Sequence, residues 1–206
     1  RHNTINCIMD KIIGIFGKGG FSREIKYHIL QKKKIEVHFI SDFIDKSDKD
    51  IINIKDINKQ LYDILLTQGD PFLRNKVYNQ FQDLNYINYI HDYHNILDRN
   101  SVIIGNGSII CAGSILTTNI TLGLCNHINL NSTIGHDTTL GNFVTCSPGV
   151  NISGNCKIGN NILIGTNSAI KEHISICDNV IIGMNSNVIK DIVEPGVYVG
   201  NPLRKL

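Results

Sequence analysis

The sequence has no tryptophan, only two methionines and four prolines, and charged side chains make up 18% of its 206 residues. Its net charge of +2 gives it no broad basic surface of the kind that attracts nucleic acid. It also lacks any uninterrupted apolar run near the about 18 residues that a membrane-spanning helix needs. We therefore expect neither nucleic acid nor a membrane among its partners.

The six cysteines include no C-x-x-C spacing, which argues against a redox motif or a zinc site. Cys146 and Cys156 fall at positions that the repeat described below turns inward, where a thiol behaves as a small hydrophobic group. We expect reduced, buried cysteines and no bound metal, which is typical of a cytoplasmic protein. The chain does not begin like a signal peptide, and since Arg1 is its first residue, a further segment upstream stays open.

A six-residue repeat runs from Val102 to Asp191. One row of the repeat is aliphatic except for a single cysteine: Ile104, Ile110, Leu116, Leu122, Ile128, Ile134, Leu140, Cys146, Ile152, Ile158, Ile164, Ile170, Ile176, Ile182 and Val188. A second row, two residues earlier in each repeat, is small or β-branched except at Asn126: Val102, Ser108, Ser114, Ile120, Asn126, Ser132, Thr138, Val144, Val150, Cys156, Ile162, Ser168, Ile174, Val180 and Ser186.

This period fits neither the helical period of about 3.6 residues nor the two-residue period of an isolated strand. Hexapeptide repeats are typical of a parallel β-helix, in which each repeat forms one short strand and a turn. Three strands close a triangular coil, so the repeats predict about five coils, stacked about 4.8 Å apart into a prism roughly 24 Å tall. Helices of this kind coil left-handedly, against the usual crossover rule.

Glycine follows the aliphatic residue of the repeat at positions 105, 123, 135, 141, 159, 165 and 183. We interpret this position as the corner of the triangle, because glycine has no Cβ to oppose an unusual backbone dihedral. The aliphatic row then faces inward, and the small row fills the space that remains.

The first half of the chain alternates strands and helices. Strands are predicted at 11–16, 35–40, 62–67 and 86–90, and helices at 20–33 and from Pro71 to about Asp83. Such alternation implies a small parallel sheet with helices on both faces. We therefore divide the chain into a Rossmann-like α/β domain at 11–92, a left-handed β-helix domain at 101–193 and a C-terminal tail at 194–206.

A glycine-rich turn, GKGGFS at 17–22, follows the first strand and opens the first helix. Backbone N–H groups at such a helix N-terminus can hold a phosphate, although the glycines can also serve only to permit a tight turn. The full G-x-G-x-x-G fingerprint is not met, because Ser22 replaces the third glycine. Asp42 and Gly69 follow the second and third predicted strands at the same sheet edge, where a ribose or base is usually bound. The small domain favours a mononucleotide or a nucleotide sugar over a dinucleotide.

His136 belongs to neither inward row, so we expect it at a corner or on the outer wall of the prism. An imidazole beside a carboxylate, here Asp137, is well suited to accept a proton at neutral pH. His127 and His173 also lie outside the inward rows, and we interpret both as ordinary surface histidines.

Several phrases of the sequence together resemble one enzyme family: GKGGFSREI at 17–25, FISD at 39–42, QGDPFLRNKVY at 68–78, YIH at 89–91, IGHDTTLGNFV at 134–144, GNCKIGNNILIGTNS at 154–168 and KDIVEPGVYVGNPLRKL at 190–206. Over nearly its whole length the chain resembles the sugar acetyltransferases of the left-handed β-helix superfamily. The similar branch contains the bacillosamine-pathway and perosamine N-acetyltransferases and the sialic-acid O-acetyltransferase. The ending from Gly196 to Pro202 is typical of hexapeptide enzymes that use acyl-CoA.

The resemblance implies direct transfer of an acetyl group from acetyl-CoA to the amino group of a UDP-linked 4-amino-dideoxy sugar, in a homotrimer and without a metal. His136 would be the general base, and Asp137 would raise its basicity. The residues implied at the acetyl-CoA site are Thr145, Gly154, Thr166 and Met184, with the Gly154 N–H as the oxyanion donor. The residues implied at the nucleotide-sugar site are Gly19, Gly20, Phe21, Ser41, Asp42 and Gly69.

Two positions depart from the pattern of some relatives. Asp137 stands where they carry glutamate, and it has a shorter reach. Thr145 stands where they carry a second histidine. If that histidine only donates a hydrogen bond to the thioester, the Thr145 hydroxyl can replace it; if it transfers a proton, this chain must act without it.

Three other functions are weighed against amino-sugar acetylation. O-acetylation of a sialic acid or another sugar hydroxyl would use the same residues. A zinc hydratase of the γ-carbonic-anhydrase kind shares the prism but needs three histidines at a subunit boundary, and no third partner for His127 and His136 is evident. A non-catalytic nucleotide-sugar-binding scaffold would show no acetyl-CoA turnover.

Overall fold

The computed structural model describes residues 11–32, 34–42 and 50–206, which form an α/β domain followed by a β-solenoid. The elements of the α/β domain are β1 (Ile12–Phe16), α1 (Gly20–Lys32), β2 (Val37–Ser41), β3 (Ile51–Asn53), β4 (Tyr62–Leu66), α2 (Pro71–Gln80) and β5 (Asn85–Tyr86). The strands pair in parallel in the order β3-β2-β1-β4-β5. The parallel sheet predicted for this half of the chain is therefore confirmed.

The two helices cover opposite faces of this sheet. Ile25 and Ile29 of α1 join one buried cluster with β1 and β2, and Val77 of α2 joins another. Both clusters continue into the solenoid, one through Ile109 and the other through Phe143. The sheet thus shares its hydrophobic core with the neighbouring domain.

Two details of this domain differ from the prediction. The three-residue strand β3 was missed, because it is short and follows a highly charged segment. The strand predicted at 86–90 is two strands, since the chain leaves the sheet after β5 and pairs with the solenoid from Tyr89. Asn88, buried between them, accepts a hydrogen bond from the Ser108 N–H at 2.9 Å and so fixes the crossing. Lys33, the end of the predicted first helix, lies outside the described residues.

The solenoid is built of short strands that pair into three faces, and the pairing is parallel except at the last strand of face 2. Face 1 contains β7 (Ile103–Ile104), β10 (Thr121–Leu122), β13 (Thr139–Leu140), β16 (Lys157–Ile158) and β19 (Ser175–Ile176). Face 2 contains β6 (Tyr89–Ile90), β8 (Ile109–Ile110), β11 (His127–Ile128), β14 (Val144–Cys146), β17 (Ile162–Ile164), β20 (Val180–Ile182), β22 (Gly196–Val199) and β23 (Arg204–Lys205). Face 3 contains β9 (Ile115–Leu116), β12 (Thr133–Ile134), β15 (Asn151–Ile152), β18 (Ala169–Ile170) and β21 (Asn187–Val188). A 3-10 helix at Tyr93–Asn95 precedes β7.

Paired strands on each face are offset by 18 residues, as in the pairing of Thr121 with Thr139. Every residue of the two predicted inward rows is buried, with Ile104 the most exposed of them at 7%. The polar exception, Asn126, donates to the carbonyls of Gly123 and Gly141 and accepts from the Val144 N–H. A hexapeptide β-solenoid is therefore confirmed; its left-handed sense stays a prediction.

The coil count is slightly larger than predicted. Faces 1 and 3 have five strands each among the described residues, but face 2 has eight. Face 2 is longer because β6 adds at one end and β22 and β23 add at the other. Residues 194–206 thus extend a face of the solenoid, with β23 running antiparallel to β22.

The corner residue was assigned to the wrong position of the repeat. The left-handed residue is the third one after each inward aliphatic residue, where φ lies between +51° and +79° at all fourteen positions from 107 to 185. Asparagine and glycine hold ten of these positions, since both residues tolerate this conformation.

The seven glycines that directly follow the aliphatic row have a different cause from the one predicted. At each of them an added Cβ would come closer than 3.0 Å to an atom of the next coil or strand. At Gly141, for example, the Gly159 carbonyl oxygen would be 2.8 Å away. Glycine is required there because neighbouring coils approach each other closely, and φ does not decide it.

The described cysteines are free, and four of the five are buried: Cys111, Cys125, Cys146 and Cys156. Cys7 lies outside the described residues. No helix in the described part of the chain is both long and apolar enough to span a bilayer.

Replacing Gly141 with alanine should destabilise the solenoid, because the new methyl group meets backbone atoms that cannot move independently. We expect a loss of about 1–3 kcal/mol in the free energy of unfolding. Chemical denaturation measures it, with Gly19→Ala as control, since no atom lies within 4 Å of a Cβ at Gly19. Equal stability of the two variants would contradict this explanation of the glycine row.

Candidate active site

His136 lies at the corner between faces 3 and 1, two residues after the buried Ile134 of β12. Its side chain is 56% exposed, and its ring lies over Gly154 of the next coil. A Cβ at Gly154 would be 2.6 Å from the His136 Cε1 atom. Glycine at 154 therefore makes room for the imidazole, and the prediction that His136 lies at a corner is confirmed.

Asp137 folds its carboxylate back onto the imidazole. Its φ is +59°, and its Oδ2 lies 2.7 Å from the His136 Nδ1. Its other oxygen, Oδ1, accepts a hydrogen bond from Asn119 Nδ2 at 2.5 Å. The Asn119 hydrogen bond and then the His136 contact lower the pKa of Asp137, so this carboxyl is ionised at neutral pH. The shorter reach of aspartate is thus sufficient for the contact with His136.

This contact selects a tautomer of the imidazole. A carboxylate can only accept, so Nδ1 carries the proton and donates it to Asp137. The Nε2 lone pair then remains for another proton, on a ring that is more than half exposed. The arrangement suits a general base whose second nitrogen is held by a carboxylate.

Asn119 is a site residue that the sequence did not reveal. It lies 18 residues before Asp137, which is one coil, and has the same left-handed backbone. That spacing is the only sequence signal for the contact, and many asparagines of the repeat share it.

The glycine-rich turn lies at the carboxyl edge of the α/β sheet. Gly17 has φ +93° and bends the chain after β1, and α1 begins at Gly20. Gly19 and Gly20 are exposed, with no atom within 4 Å of a Cβ on either. Exposed backbone at a helix N-terminus is the arrangement that binds anions.

Ser22, which replaces the third glycine of the fingerprint, has a structural role. It is buried, and its hydroxyl lies 2.8 Å from that of Thr67, which in turn donates to the Phe16 carbonyl. These contacts tie α1 to the ends of β4 and β1, so the turn is held close to the sheet.

The other predicted nucleotide-site residues lie near the same edge. Ser41 ends β2, and Asp42 follows it in an exposed bend. Gly69 is exposed in the loop before α2. Phe21 is half-buried, with its ring centroid 5.5 Å from that of His127, so part of this side chain packs between the domains.

A buried arginine joins the Gly69 loop to the solenoid. Arg74 of α2 is fully buried and donates from Nε to the Cys125 carbonyl and from Nη2 to Thr145 Oγ1, at 2.8 and 2.9 Å. Its Nη1 donates to the Gln68 carbonyl. Burial lowers the pKa of Arg74 to about 10, which leaves it charged at neutral pH. Since its hydrogen-bond partners are carbonyls and a hydroxyl, each must be kept in place to compensate the buried charge.

Thr145 therefore lies inside the junction of the two domains. Its side chain is buried, and its hydroxyl donates to the Gly69 carbonyl at 2.8 Å while accepting from Arg74. A role of Thr145 towards the thioester stays a prediction, and in this structure both hydrogen-bonding functions of the hydroxyl are occupied.

The interpretation of His127 as a surface residue is wrong. It is 1% exposed, because the α/β domain covers the outer side of face 2 at this coil, and its Nε2 donates to the Leu66 carbonyl at 2.8 Å. Burial, and next the charge of Arg74, lower the pKa of His127 well below its ordinary value. Its imidazole is therefore neutral, whereas His173 is exposed as predicted.

Thr166 and Met184 lie one coil apart at the corner between faces 2 and 3. Each follows by two residues an inward isoleucine of face 2, Ile164 or Ile182. Met184 is 67% exposed. Gly154 and His136 lie at the other edge of face 3, and Thr145 lies on face 2, so one chain does not bring the four predicted acetyl-CoA residues together.

Within one chain, the His136–Asp137 pair and the glycine-rich turn lie on different sides of the solenoid. The α/β domain packs on face 2 and its flanking corners, through Ile109, Leu130 and Phe143. His136 lies at the corner of faces 3 and 1, which is the corner opposite face 2 in a triangle. Phe21 of the glycine-rich turn packs against His127 of face 2, so the turn lies on a different side of the prism from His136 of the same chain.

Metal chemistry has no visible ligand set here. Among the described residues, no group of three or more histidine, cysteine, aspartate or glutamate side chains could hold a metal ion. His127 cannot serve as a ligand at an exposed boundary, since it is buried against Leu66.

Several solved structures are similar to the chain over nearly its whole length. The acetyltransferase domain of PglB from Neisseria gonorrhoeae FA1090, in complex with acetyl coenzyme A, has a TM-score of 0.81 at 23% identity, covering 96% of this chain and 100% of that one. WeeI from Acinetobacter baumannii AYE has a TM-score of 0.82 at 26% identity, with coverages of 95% and 100%. PerB from Caulobacter crescentus, in complex with CoA and GDP-perosamine, has a TM-score of 0.82 at 20% identity, with coverages of 96% and 98%.

These likenesses establish the architecture: the chain has the two-domain fold of the hexapeptide-repeat sugar acetyltransferases. The resemblance stated from the sequence is thereby confirmed at the level of the fold. No protein-family model matches the sequence, and a search of curated proteins finds no match.

The buried His127 should make the stability of the protein depend on pH. Its pKa is depressed in the folded state, so the unfolded chain takes up a proton that the folded chain does not, and stability falls as the pH drops below about 6.5. We expect His127→Gln, whose amide can still donate to Leu66, to remove up to about 1.4 kcal/mol per pH unit from that slope. Urea denaturation at several pH values measures it.

The exposed His173 provides the matched control for this titration. His173→Asn removes an exposed imidazole and leaves His127 in place, so the pH slope of His127→Gln is compared with the slope of this variant. A His127→Gln slope identical to that of the wild type would show that this imidazole titrates normally.

Proposed function

We propose that the protein is an N-acetyltransferase that transfers the acetyl group of acetyl-CoA to the amino group of a nucleotide-linked amino sugar. The observation that carries the proposal is the exposed His136, with Nδ1 held by Asp137 and the ring lying over Gly154. The fold shared with PglB and PerB, crystallised with acetyl coenzyme A and with CoA and GDP-perosamine, supports the same chemistry.

The reaction follows from the tautomer of His136. The sugar amine attacks the carbonyl carbon of the thioester, and the Nε2 lone pair takes a proton from the attacking nitrogen. The developing oxyanion needs a donor, and the Gly154 N–H, beside the ring, is the group we assign to it; such donors contribute about 3 kcal/mol in comparable sites. The carbon–sulfur bond then breaks, and the coenzyme thiolate leaves. The ionised Asp137 stabilises the imidazolium that forms.

The nucleotide is assigned to the glycine-rich turn. Exposed backbone at Gly19 and Gly20, at the start of α1, offers N–H groups to a diphosphate. Asp42 and Ser41 lie at the neighbouring strand end, where they can accept hydrogen bonds from ribose or base hydroxyl and amino groups. We propose a UDP-linked 4-amino-dideoxy sugar, and a panel of UDP-, GDP- and dTDP-amino sugars and free sialic acid tests this choice.

The site that binds the sugar acceptor and the histidine that acts as base are assigned to different copies of the chain. In one chain the glycine-rich turn packs over face 2, and His136 lies at the opposite corner. A ring of three chains that pack along their prism edges would bring the corner of Gly154 and His136 against a neighbour's corner of Thr166 and Met184. We therefore propose a homotrimer whose sites lie between neighbouring chains, with acetyl-CoA in the groove along the prism.

Replacing His136 with alanine should lower kcat by about 10²- to 10⁴-fold, because the amine loses its proton acceptor. The rate is measured as thiol release from acetyl-CoA in the presence of an amino sugar that the wild-type enzyme acetylates. His173→Asn is the matched control, since it changes an exposed histidine on the same corner and keeps a residue that tolerates a left-handed backbone. Wild-type turnover in His136→Ala would remove this residue from the mechanism.

A complementation experiment tests the shared site. Gly19→Asp should abolish acceptor binding, because its carboxylate repels the diphosphate, while the open surroundings of Gly19 leave the fold intact. This variant is mixed with His136→Ala. In every trimer that contains both variants, one site then combines an intact Gly19 from one chain with an intact His136 from its neighbour. Random mixing should then restore about a quarter of the wild-type activity.

The mixture must be compared with each variant alone at the same total concentration. Activity no higher than that of the better single variant, with subunit exchange verified by mass spectrometry of differently tagged chains, would contradict a site formed between copies.

A further inference from the structure

A chain of polar side chains runs from the segment between the two domains to the His136–Asp137 pair. Asp98 Oδ2 accepts hydrogen bonds from Ser101 Oγ at 2.6 Å and from Thr118 Oγ1 at 2.9 Å. Ser101 Oγ in turn accepts the backbone N–H of Asn119 at 2.7 Å. The side-chain amide of Asn119 then donates to Asp137. Five groups thus connect the linker to the imidazole.

The two carboxylates set the proton directions along this chain. Asp98 and Asp137 can only accept, so we assign both hydroxyl protons, of Ser101 and Thr118, to Asp98, although the two hydroxyl oxygens also lie 3.0 Å apart. The Ser101 lone pair is then free for the Asn119 N–H. The Asn119 amide must present its NH₂ group to Asp137, because its oxygen would face another acceptor. The side-chain donors of Ser101, Thr118 and Asn119 thus all point to a carboxylate, and the backbone N–H of Asn119 points to Ser101.

The charges of the two carboxylates agree with this assignment. Hydrogen bonds from Ser101 and then Thr118 lower the pKa of Asp98, and the Asn119 hydrogen bond is the largest cause of the lowered pKa of Asp137. Both groups are therefore ionised at neutral pH, as the proton directions require.

We propose that Asn119 is a positioning residue for the proposed reaction: anchored by Ser101 and Asp98, it fixes the rotamer of Asp137 and so the tautomer of His136. This inference rests on the proposed function for its kinetic consequence only. Asn119 does not touch the reacting atoms. An exposed aspartate on a single hydrogen bond can change rotamer, and two contacts on different oxygens hold it in one.

The experiment replaces Asn119 with glycine, which removes the donor and keeps a residue that accepts φ near +52°. The matched control is Asn179→Gly, since Asn179 is an exposed asparagine with φ +61° at the corner between faces 1 and 2, away from both corners assigned to the proposed site. The first measurement is the tautomer of His136, from ¹⁵N chemical shifts of the imidazole on the high-pH plateau of a titration.

We expect the wild type and Asn179→Gly to show the Nδ1–H form of His136, and Asn119→Gly to show a mixture of both tautomers. The kcat of Asn119→Gly should fall about 10- to 100-fold, which is the effect of a misplaced catalytic group, with an unchanged KM for acetyl-CoA. Ser101→Ala removes the acceptor for the Asn119 N–H and should change both measurements in the same direction but less.

The proposal is overturned if Asn119→Gly keeps the Nδ1–H form, or if its kcat matches that of Asn179→Gly while His136→Ala is inactive. Failure of the proposed function gives a different result, because no acetyl transfer would then be detected in any variant. The tautomer measurement needs no turnover, so it decides the role of Asn119 in that case as well.

Discussion

The stacking of corners, one coil upon the next, is the constraint on which the candidate site depends. Because paired strands are offset by 18 residues, each corner residue lies directly beside its equivalents in the neighbouring coils. This places Asn119 against Asp137 and the ring of His136 over Gly154. Close approach of the coils excludes a Cβ at the glycines that follow the buried row, and the buried rows hold the register. The buried apolar rows therefore determine how accurately the side chains at the corner are positioned.

The α/β domain is attached to the solenoid by buried polar groups as well as by apolar packing. Arg74 holds the Gly69 loop, Cys125 and Thr145 together, and His127 is neutral against Leu66. Losing any one of these contacts is costly in free energy, because the remaining partner is left buried without a hydrogen bond. They fix the orientation of the glycine-rich turn relative to face 2.

The sequence was sufficient to predict the features that depend on the spacing of its residues. The inward rows, the alternating first half and the corner position of His136 follow from spacing alone, and all agree with the structure. The prediction was wrong where two roles share a residue type: glycine serves both close approach and left-handed corners, and only the backbone separates them. His127 was misplaced because nothing in its own repeat indicates that another domain covers it. Asn119 and Arg74 were missed, because their partners lie one coil or one domain away and the repeat contains many equivalent asparagines.

The antiparallel β23 has a consequence for how the solenoid ends. A face that ended on a parallel strand would offer its unpaired backbone groups to the first strand of an identical molecule, and end-to-end filaments could grow from it. Here face 2 turns back on itself, and its outermost strand carries the exposed Arg204 and Lys205. Lys205 is held by Glu194, at 2.8 Å. The antiparallel direction of β23 and its positive charge both disfavour pairing with the solenoid of another molecule. They thus oppose the growth of fibres, in which the stack of coils would continue from one molecule to the next.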